Sequence, residues 1–179
     1  MHESEKTRIG RTSAAVERFA GDKRPNYFAG QILSADDLRA EQQYLIGTRR
    51  RLNRALHGWG IATGLTVTIA ADAAPASVVV EPGLALDRDG RELYLATATA
   101  VEIEDSDRLQ YVMVEYTERE TDPAVSMADD VTAMSRIEEG VRIWLSPDDR
   151  CHDGIAIARL VMDSCYWTID CLFAPPRCR

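Results

Sequence analysis

The chain has 179 residues, 45% of them hydrophobic, which suits one main folded unit with an apolar core. Its formal net charge of −8 argues against nucleic acid as a ligand, because phosphate binding needs a basic face. No stretch approaches the roughly 18 apolar residues that span a bilayer, and the polar start does not resemble a secretory signal. We therefore expect that the chain is made in the cytoplasm and does not insert into a membrane.

Residues 1–24 mix six Lys/Arg with four Asp/Glu and contain few large apolar side chains. Such a segment cannot bury enough apolar surface to offset its conformational entropy. We predict an extended or disordered arm here, which could also dock on a neighbouring subunit.

A long N-terminal helix is predicted after a short leading strand, within residues 25–60. Ser34 can cap free backbone N–H groups, and the carboxylates of Asp36 and Asp37 favour the positive end of the helix dipole. The helix should run to about His57, where nearby glycines end it.

Four apolar residues recur every seven positions along this segment: Leu38, Leu45, Leu52 and Trp59. The stripe has two interpretations. In the first, the helix lies across its own β domain, as a surface helix with one apolar face does. Alternatively, copies of the helix meet in a short oligomeric seam, helped by the β domain because intervening positions are polar.

From residue 61 to 179 the pattern changes to a period of two, which indicates an antiparallel β domain. An Asp-Gly pair at Asp89 and Gly90 predicts a tight hairpin turn. The predicted fold class is therefore α+β, with the helix packed on or leading into a β-sandwich or partly closed barrel. Strands are predicted around the following segments: 65–69, 78–80, 84–86, 93–95, 110–117, 141–145, 155–162 and 167–173.

Charge is uneven along the chain. Arginines crowd positions 49–54, whereas residues 118–139 are acidic, weakly patterned and broken by Asp122-Pro123. We predict an acidic loop over 118–139. An acidic face on one copy and a basic helix on another would suit assembly, and solvated surfaces explain each run equally well.

Catalytic motifs are missing from the sequence: it contains no nucleophile elbow, metalloprotease helix motif or phosphate-binding loop. Cys151, His152 and Asp153 are adjacent, and neighbouring side chains rarely align for proton transfer. Asp36 and Asp37 are better explained by helix capping than as an acid/base pair. We expect no enzymatic activity and no cofactor, and a small hydrolase is the least favoured function.

All four cysteines lie near the end of the sequence, without the paired spacing of structural zinc motifs. Free or buried thiols are expected in a reducing cytoplasm. The one conceivable metal cluster would draw on Cys151, His152, Cys165, Cys171 and Cys178.

Aromatic residues flank the helix. Tyr27 and Phe28 precede it, and we assign them to an interface together with the heptad leucines. Trp59 lies between Gly58 and Gly60, where its ring could fill the corner between helix and first strand as a buried wedge. The alternative is an exposed tryptophan that contacts a neighbouring subunit.

Residues 26–38 (NYFAGQILSADDL), 56–67 (LHGWGIATGLTV) and 80–92 (VEPGLALDRDGRE) resemble a family encoded with contractile phage tails and bacterial contractile injection systems. The family pattern is YF-x-G-Q-x-L-x-x-x-D-L, a basic helix, HGWG-x-x-x-GL-x-V, and a PG-x-A-x-D-x-x-G turn. The resemblance covers residues 26 to about 95 and is echoed weakly in 154–161.

The resemblance implies a non-enzymatic structural adaptor that anchors fibre or baseplate components of a phage-tail-like particle. It also implies a homotrimer, partnered by baseplate or fibre proteins of the same particle. A receptor-, glycan- or cargo-binding module of such a particle is the alternative.

Overall fold

The computed structural model describes residues 21, 23–70, 76–103, 109–127, 129–149, 154–164 and 166–179. Most of the predicted N-terminal arm therefore lies outside the described residues. The chain divides into two compact units, Met1–Leu45 and Ile46–Arg179. Helix α1, Ala35–Leu56, begins in the first unit and ends in the second.

In the first unit, α1 begins as the sequence predicts. The Ser34 hydroxyl accepts a hydrogen bond from the Asp37 N–H (3.1 Å), and the Asp37 carboxylate accepts one from the Ser34 N–H (2.9 Å). This reciprocal pair is a capping box, which satisfies backbone donors that the first helical turn leaves free. The predicted leading strand is not formed: residues 23–34 contain a turn at Ala29 and Gly30 and no strand.

The second unit contains the end of α1 and, within the described residues, ten strands in three sheets. The sheet orders are β1-β4-β5, β2-β3-β6 and β10-β9-β7-β8, and all the strand pairs are antiparallel. This confirms a helix combined with antiparallel sheets. The strands are β1 Gly60–Gly64, β2 Val67–Ala70, β3 Ser77–Val80, β4 Gly83–Leu86, β5 Glu92–Leu95, β6 Thr99–Glu102, β7 Leu109–Val125, β8 Thr132–Ser146, β9 Ile155–Asp163 and β10 Tyr166–Ile169.

One apolar core joins the three sheets of this unit. Val78, Leu93, Val114 and Leu160 are fully buried in it. In β3 and β5, buried side chains alternate with more exposed ones, as expected of strands with one face in the core. Strands form at the predicted segments 78–80, 84–86 and 93–95, and the last strand ends at Ile169 rather than at residue 173.

The predicted acidic loop is a β-hairpin instead. β7 and β8 pair without a change of register from Tyr111↔Ser146 to Val125↔Thr132. The pairing was not visible in the sequence because both faces of residues 118–125 and 132–139 are largely exposed, so no apolar alternation marks them. Asp122 and Pro123 are accommodated at a strand edge, with Asp122 at a φ of 58°.

Of the helices in the described residues, none is long and apolar enough to cross a membrane.

Candidate interaction surfaces

The end of α1 is held to the β domain by polar contacts. Within the second unit, the Arg49 guanidinium binds both carboxylate oxygens of Glu92, and the Nε–Oε1 distance is 2.6 Å. The Asn53 side-chain amide donates to the Gly90 carbonyl (3.0 Å) and to Glu92 (3.2 Å). Arg54 donates to the Asp89 carbonyl (2.9 Å). The turn between β4 and β5 is thus the docking platform for this part of the helix.

A buried carboxylate makes that turn rigid. Asp87 is 2% exposed, and its Oδ1 accepts hydrogen bonds from the backbone N–H groups of Asp89 (2.9 Å) and Arg91 (2.8 Å). Its Oδ2 accepts one from Arg91 Nε (2.5 Å). A buried carboxylate needs such partners to offset its lost hydration. The Asp-Gly pair marks this turn in the sequence, but the buried role of Asp87 has no sequence signal of its own.

Gly90 allows the close approach of helix and turn. Its φ of 80° lies in the left-handed region, and a Cβ added there would lie 2.2 Å from the Arg50 carbonyl oxygen. A larger residue would therefore push the helix off its platform.

The basic helix and the acidic hairpin meet within one chain, at Tyr116. The Tyr116 hydroxyl lies 2.6 Å from Glu118 Oε1 and 2.9 Å from Glu139 Oε1. Arg50 lies 3.8 Å from Glu118, and the guanidinium carbons of Arg50 and Arg91 lie 6.0 and 5.4 Å from the Tyr116 ring centre. Burial, followed by the two carboxylates, raises the pKa of Tyr116. Contact between the two charged runs therefore does not require a second copy.

Tyr116 also lines a small cleft with Ile46, Arg49, Asn53 and Gly90. The cleft holds about 60 Å³, well below the roughly 300–1,000 Å³ of small-molecule sites. It suits a few water molecules rather than a substrate.

The heptad leucines of α1 are exposed. No described residue of α1 is buried, and in the second unit Leu52 is 52% exposed. The residues that meet the platform are instead Arg49, Asn53 and Arg54. In the first unit, Leu38 and Leu45 are also exposed on the same heptad face of the helix. The predicted apolar stripe is therefore exposed on the described helix.

Tyr27 and Phe28, assigned to an interface, lie in the first unit. The Tyr27 hydroxyl donates to Glu41 Oε2 (3.0 Å), and partial desolvation together with this carboxylate raises the pKa of Tyr27. Phe28 is 69% exposed, and its carbonyl accepts a turn hydrogen bond from the Gln31 N–H (3.2 Å). Tyr27 is therefore tied to the helix, whereas the Phe28 ring is presented at the surface.

Trp59 is not the buried wedge that the sequence predicted. It is 37% exposed, with the Arg88 guanidinium carbon 4.4 Å from its ring centre. The tight position is its neighbour Gly60, where an added Cβ would lie 2.5 Å from the Pro176 carbonyl carbon. The backbone of residues 176–179 occupies that space. It exchanges hydrogen bonds with Ile61 of β1, and the Arg179 N–H donates to the His57 carbonyl.

The predicted metal residues are only partly described: Cys151, His152 and Cys165 lie outside the described residues. Cys171 is exposed, and Cys178 is half-buried with its Sγ 3.2 Å from the Gly60 carbonyl oxygen. Burial raises the pKa of the Cys178 thiol. Among the residues that the structure describes, no group of three or more His, Cys, Asp or Glu is placed to hold a metal ion.

The two aspartates weighed as an acid/base pair have structural roles. Asp37 belongs to the capping box, and its hydrogen bonds with Ser34 lower its pKa. Asp36 forms an ion pair with Arg39 at 2.7 Å, one helical turn away.

No protein-family model matches the chain, and no curated protein matches it. Solved structures do match. A chain of the TssK-TssF-TssG baseplate subcomplex of the type VI secretion system superposes on 87% of this chain, with a TM-score of 0.61 and 11% identity. A chain of the type VI secretion baseplate complex gives 0.57 and 13%, and the crystal structure of TssK gives 0.55 and 13%, each over 87% of this chain.

This chain spans 62% of the length of the first of those neighbours and 42% of the other two. At such identities the likeness shows a shared fold. The fold of this chain is therefore that of proteins found in the baseplate of a phage-tail-like contractile system.

Proposed function

We propose that the chain is a non-enzymatic structural adaptor of a phage-tail-like contractile injection particle, where it anchors baseplate or fibre components through self-association. The observation that carries the proposal is the fold likeness to chains of type VI secretion baseplates, at TM-scores of 0.55 to 0.61. The first of these neighbours is a chain of a subcomplex of TssK, TssF and TssG, which makes baseplate proteins of that kind the proposed partners. In this proposal the sheets enclose their core as a sandwich or partly closed barrel.

The exposed heptad face of α1 supports self-association. Leu38, Leu45 and Leu52 each leave about half of their surface in solvent, from 50% to 59%. Their seven-residue spacing suits a short left-handed seam with copies of the same helix. A homotrimer is the assembly we propose, with Phe28 and the exposed side of Trp59 as further contacts.

Light scattering at micromolar concentration tests the seam. We expect a mass close to three times the 19.9 kDa chain. Leu45→Glu should shift the mass toward the monomer, because it places a charge in the seam of every copy. Gln43→Glu is the matched control: it adds the same group at an exposed helical position off the stripe and should leave the mass unchanged. A wild-type monomer would contradict self-association.

Incorporation into purified particles tests the adaptor role separately. The wild-type chain should co-purify with baseplate proteins at more than one copy per particle. The Leu45→Glu variant should be missing from the purified particles. A chain that assembles normally in solution but is missing from particles would contradict the adaptor role alone.

A further inference from the structure

The outer hairpin, residues 118–125 of β7 and 132–139 of β8, extends past the core of the second unit. Both strands there are exposed on nearly every residue, whereas Val112 and Val114 earlier in β7 are fully buried. An isolated two-stranded hairpin is marginally stable in water. A partner strand that pairs with the outer hairpin would therefore add to its stability.

The two edges of this hairpin differ. On β7, Asp122 has a left-handed backbone and Pro123 lacks an N–H. Proline within a strand is confined to an edge where its missing N–H faces outward, and it blocks a further strand there. From 132 to 139, β8 has no proline and no positive φ, and among the described strands it pairs with β7 alone. The β8 edge is thus the unprotected one.

Charge and shape indicate what would pair with that edge. The outer hairpin has five carboxylates and two arginines. Glu118 and Glu139 are direct cross-strand partners, and Glu120 and Ile137 form the next pair on the same face. Like charges directly opposite are unfavourable. Tyr116 contacts both glutamates and Arg50 lies near Glu118, and a further cation beside Glu139 and Glu120 would reduce the remaining repulsion. On the edge strand itself, Ile137 is 64% exposed beside this carboxylate group.

We propose that the β8 edge over residues 132–139 binds an extended, basic segment of a partner protein as an added strand. Backbone hydrogen bonds would supply affinity, lysine or arginine side chains would lie opposite Glu139, and an apolar side chain would lie opposite Ile137. A second copy of β8 is a poorer occupant because residues 132–139 carry two carboxylates and one arginine, so it would bring no net positive charge to the edge. This inference does not depend on the helix seam.

The test uses the full chain and a labelled peptide of about nine residues that repeats Lys-Thr-Val-Thr, so that lysine and valine alternate on one face and can lie opposite Glu139 and Ile137. A peptide with glutamate in place of each lysine keeps the strand preference and reverses the charge. We expect the lysine peptide to bind at least about tenfold more tightly, with an affinity that falls as salt rises. Equal binding of the two peptides would overturn the proposal.

Hydrogen exchange identifies the edge. Bound lysine peptide should protect alternate amides of β8 between 132 and 139 and leave residues 118–125 of β7 unchanged. Protection on β7, or on neither strand, would contradict the assignment. Protection of β8 amides that increases with protein concentration in the absence of peptide would show that a second copy occupies the edge. That result would also overturn the proposal.

Two variants, compared with the wild type, test whether the peptide binds at this edge. The double variant Glu120→Gln, Glu139→Gln should bind the lysine peptide several-fold more weakly. Its affinity for the glutamate peptide should be unchanged or higher. Replacing residues 121–136 with Asn-Gly joins the cross-strand partners Glu120 and Ile137 by a favoured hairpin turn and removes most of the edge. That shortened chain should have the same unfolding stability as the wild type and should no longer bind the peptide. Retained binding would place the site elsewhere.

Discussion

Arg88 lies over the indole of Trp59, with 4.4 Å between its guanidinium carbon and the ring centre. The two residues come from different parts of the chain, the end of helix α1 and the turn between β4 and β5. Since Trp59 is 37% exposed, this stacking occurs at the surface, where cation–π pairs contribute about 0.5–1 kcal/mol. The contact joins the helix end to its docking platform without filling the core.

Trp59→Ala should therefore lower the free energy of unfolding by about 1–2 kcal/mol, rather than the roughly 3–5 kcal/mol of a buried tryptophan. Urea denaturation of Trp59→Ala, Arg88→Ala and the double variant measures the loss and the coupling between the two side chains. The double variant should lose less than the sum of the single losses. A loss above about 3 kcal/mol for Trp59→Ala would favour a buried wedge after all.

Gly60→Ala should be far more damaging than Trp59→Ala. Gly60 has a φ of 121°, and an alanine Cβ would meet the Pro176 backbone at 2.5 Å. Strain and overpacking together should cost at least about 3 kcal/mol. Gly47→Ala is the matched control, because its Cβ meets nothing within 4 Å and alanine favours the helix by about 0.5–1 kcal/mol. Equal effects in thermal unfolding would contradict the assigned close contact.

The capping box should make the start of α1 acid-sensitive. Hydrogen bonds from Ser34 hold the pKa of Asp37 below its ordinary value. A carboxyl whose folded pKa is depressed stabilises the fold above its unfolded pKa, and this contribution is lost as pH falls through the folded value. NMR titration should show the Asp37 pKa rising toward its ordinary value in Ser34→Ala. An unchanged Asp37 pKa in that variant would contradict the capping geometry.

The two described cysteines should differ in reactivity. Burial raises the pKa of Cys178, which also contacts the Gly60 carbonyl, whereas Cys171 is exposed. Because the thiolate is the reactive form, iodoacetamide at neutral pH should label Cys171 first. Peptide mass spectrometry over time measures both rates. Labelling of Cys178 at the same rate as Cys171 would show that residues 176–179 leave β1 readily.

The chain should not hold zinc tightly. The four cysteine positions lack the paired spacing of structural zinc sites, and a thiol site would couple metal binding to folding. Elemental analysis of protein purified without chelator should give far less than one zinc per chain. A full equivalent that is lost together with folding on chelation would overturn this prediction.

Helix α1 could be predicted within one residue at each end, because its signals are local. Ser34 and Asp37 are three residues apart and cap each other, and Gly58 adopts a φ of 72° just past the end. The β4–β5 turn was equally visible in the Asp-Gly pair. Such contacts involve neighbours in sequence, so the residue types alone carry the information.

The outer hairpin could not be predicted, because its strands bury neither face and therefore lack the alternation that marks a half-buried strand. Only the pairing of β7 with β8 reveals it. The sequence by itself thus determined the helix, the tight turn, most of the short strands and the seven-residue spacing of the leucines. The tertiary structure decided which helix face meets the sheet domain. Arg49 and Asn53 reach Glu92 and Gly90, about forty residues away, and contacts at that separation depend on how the chain closes, not on local residue preferences.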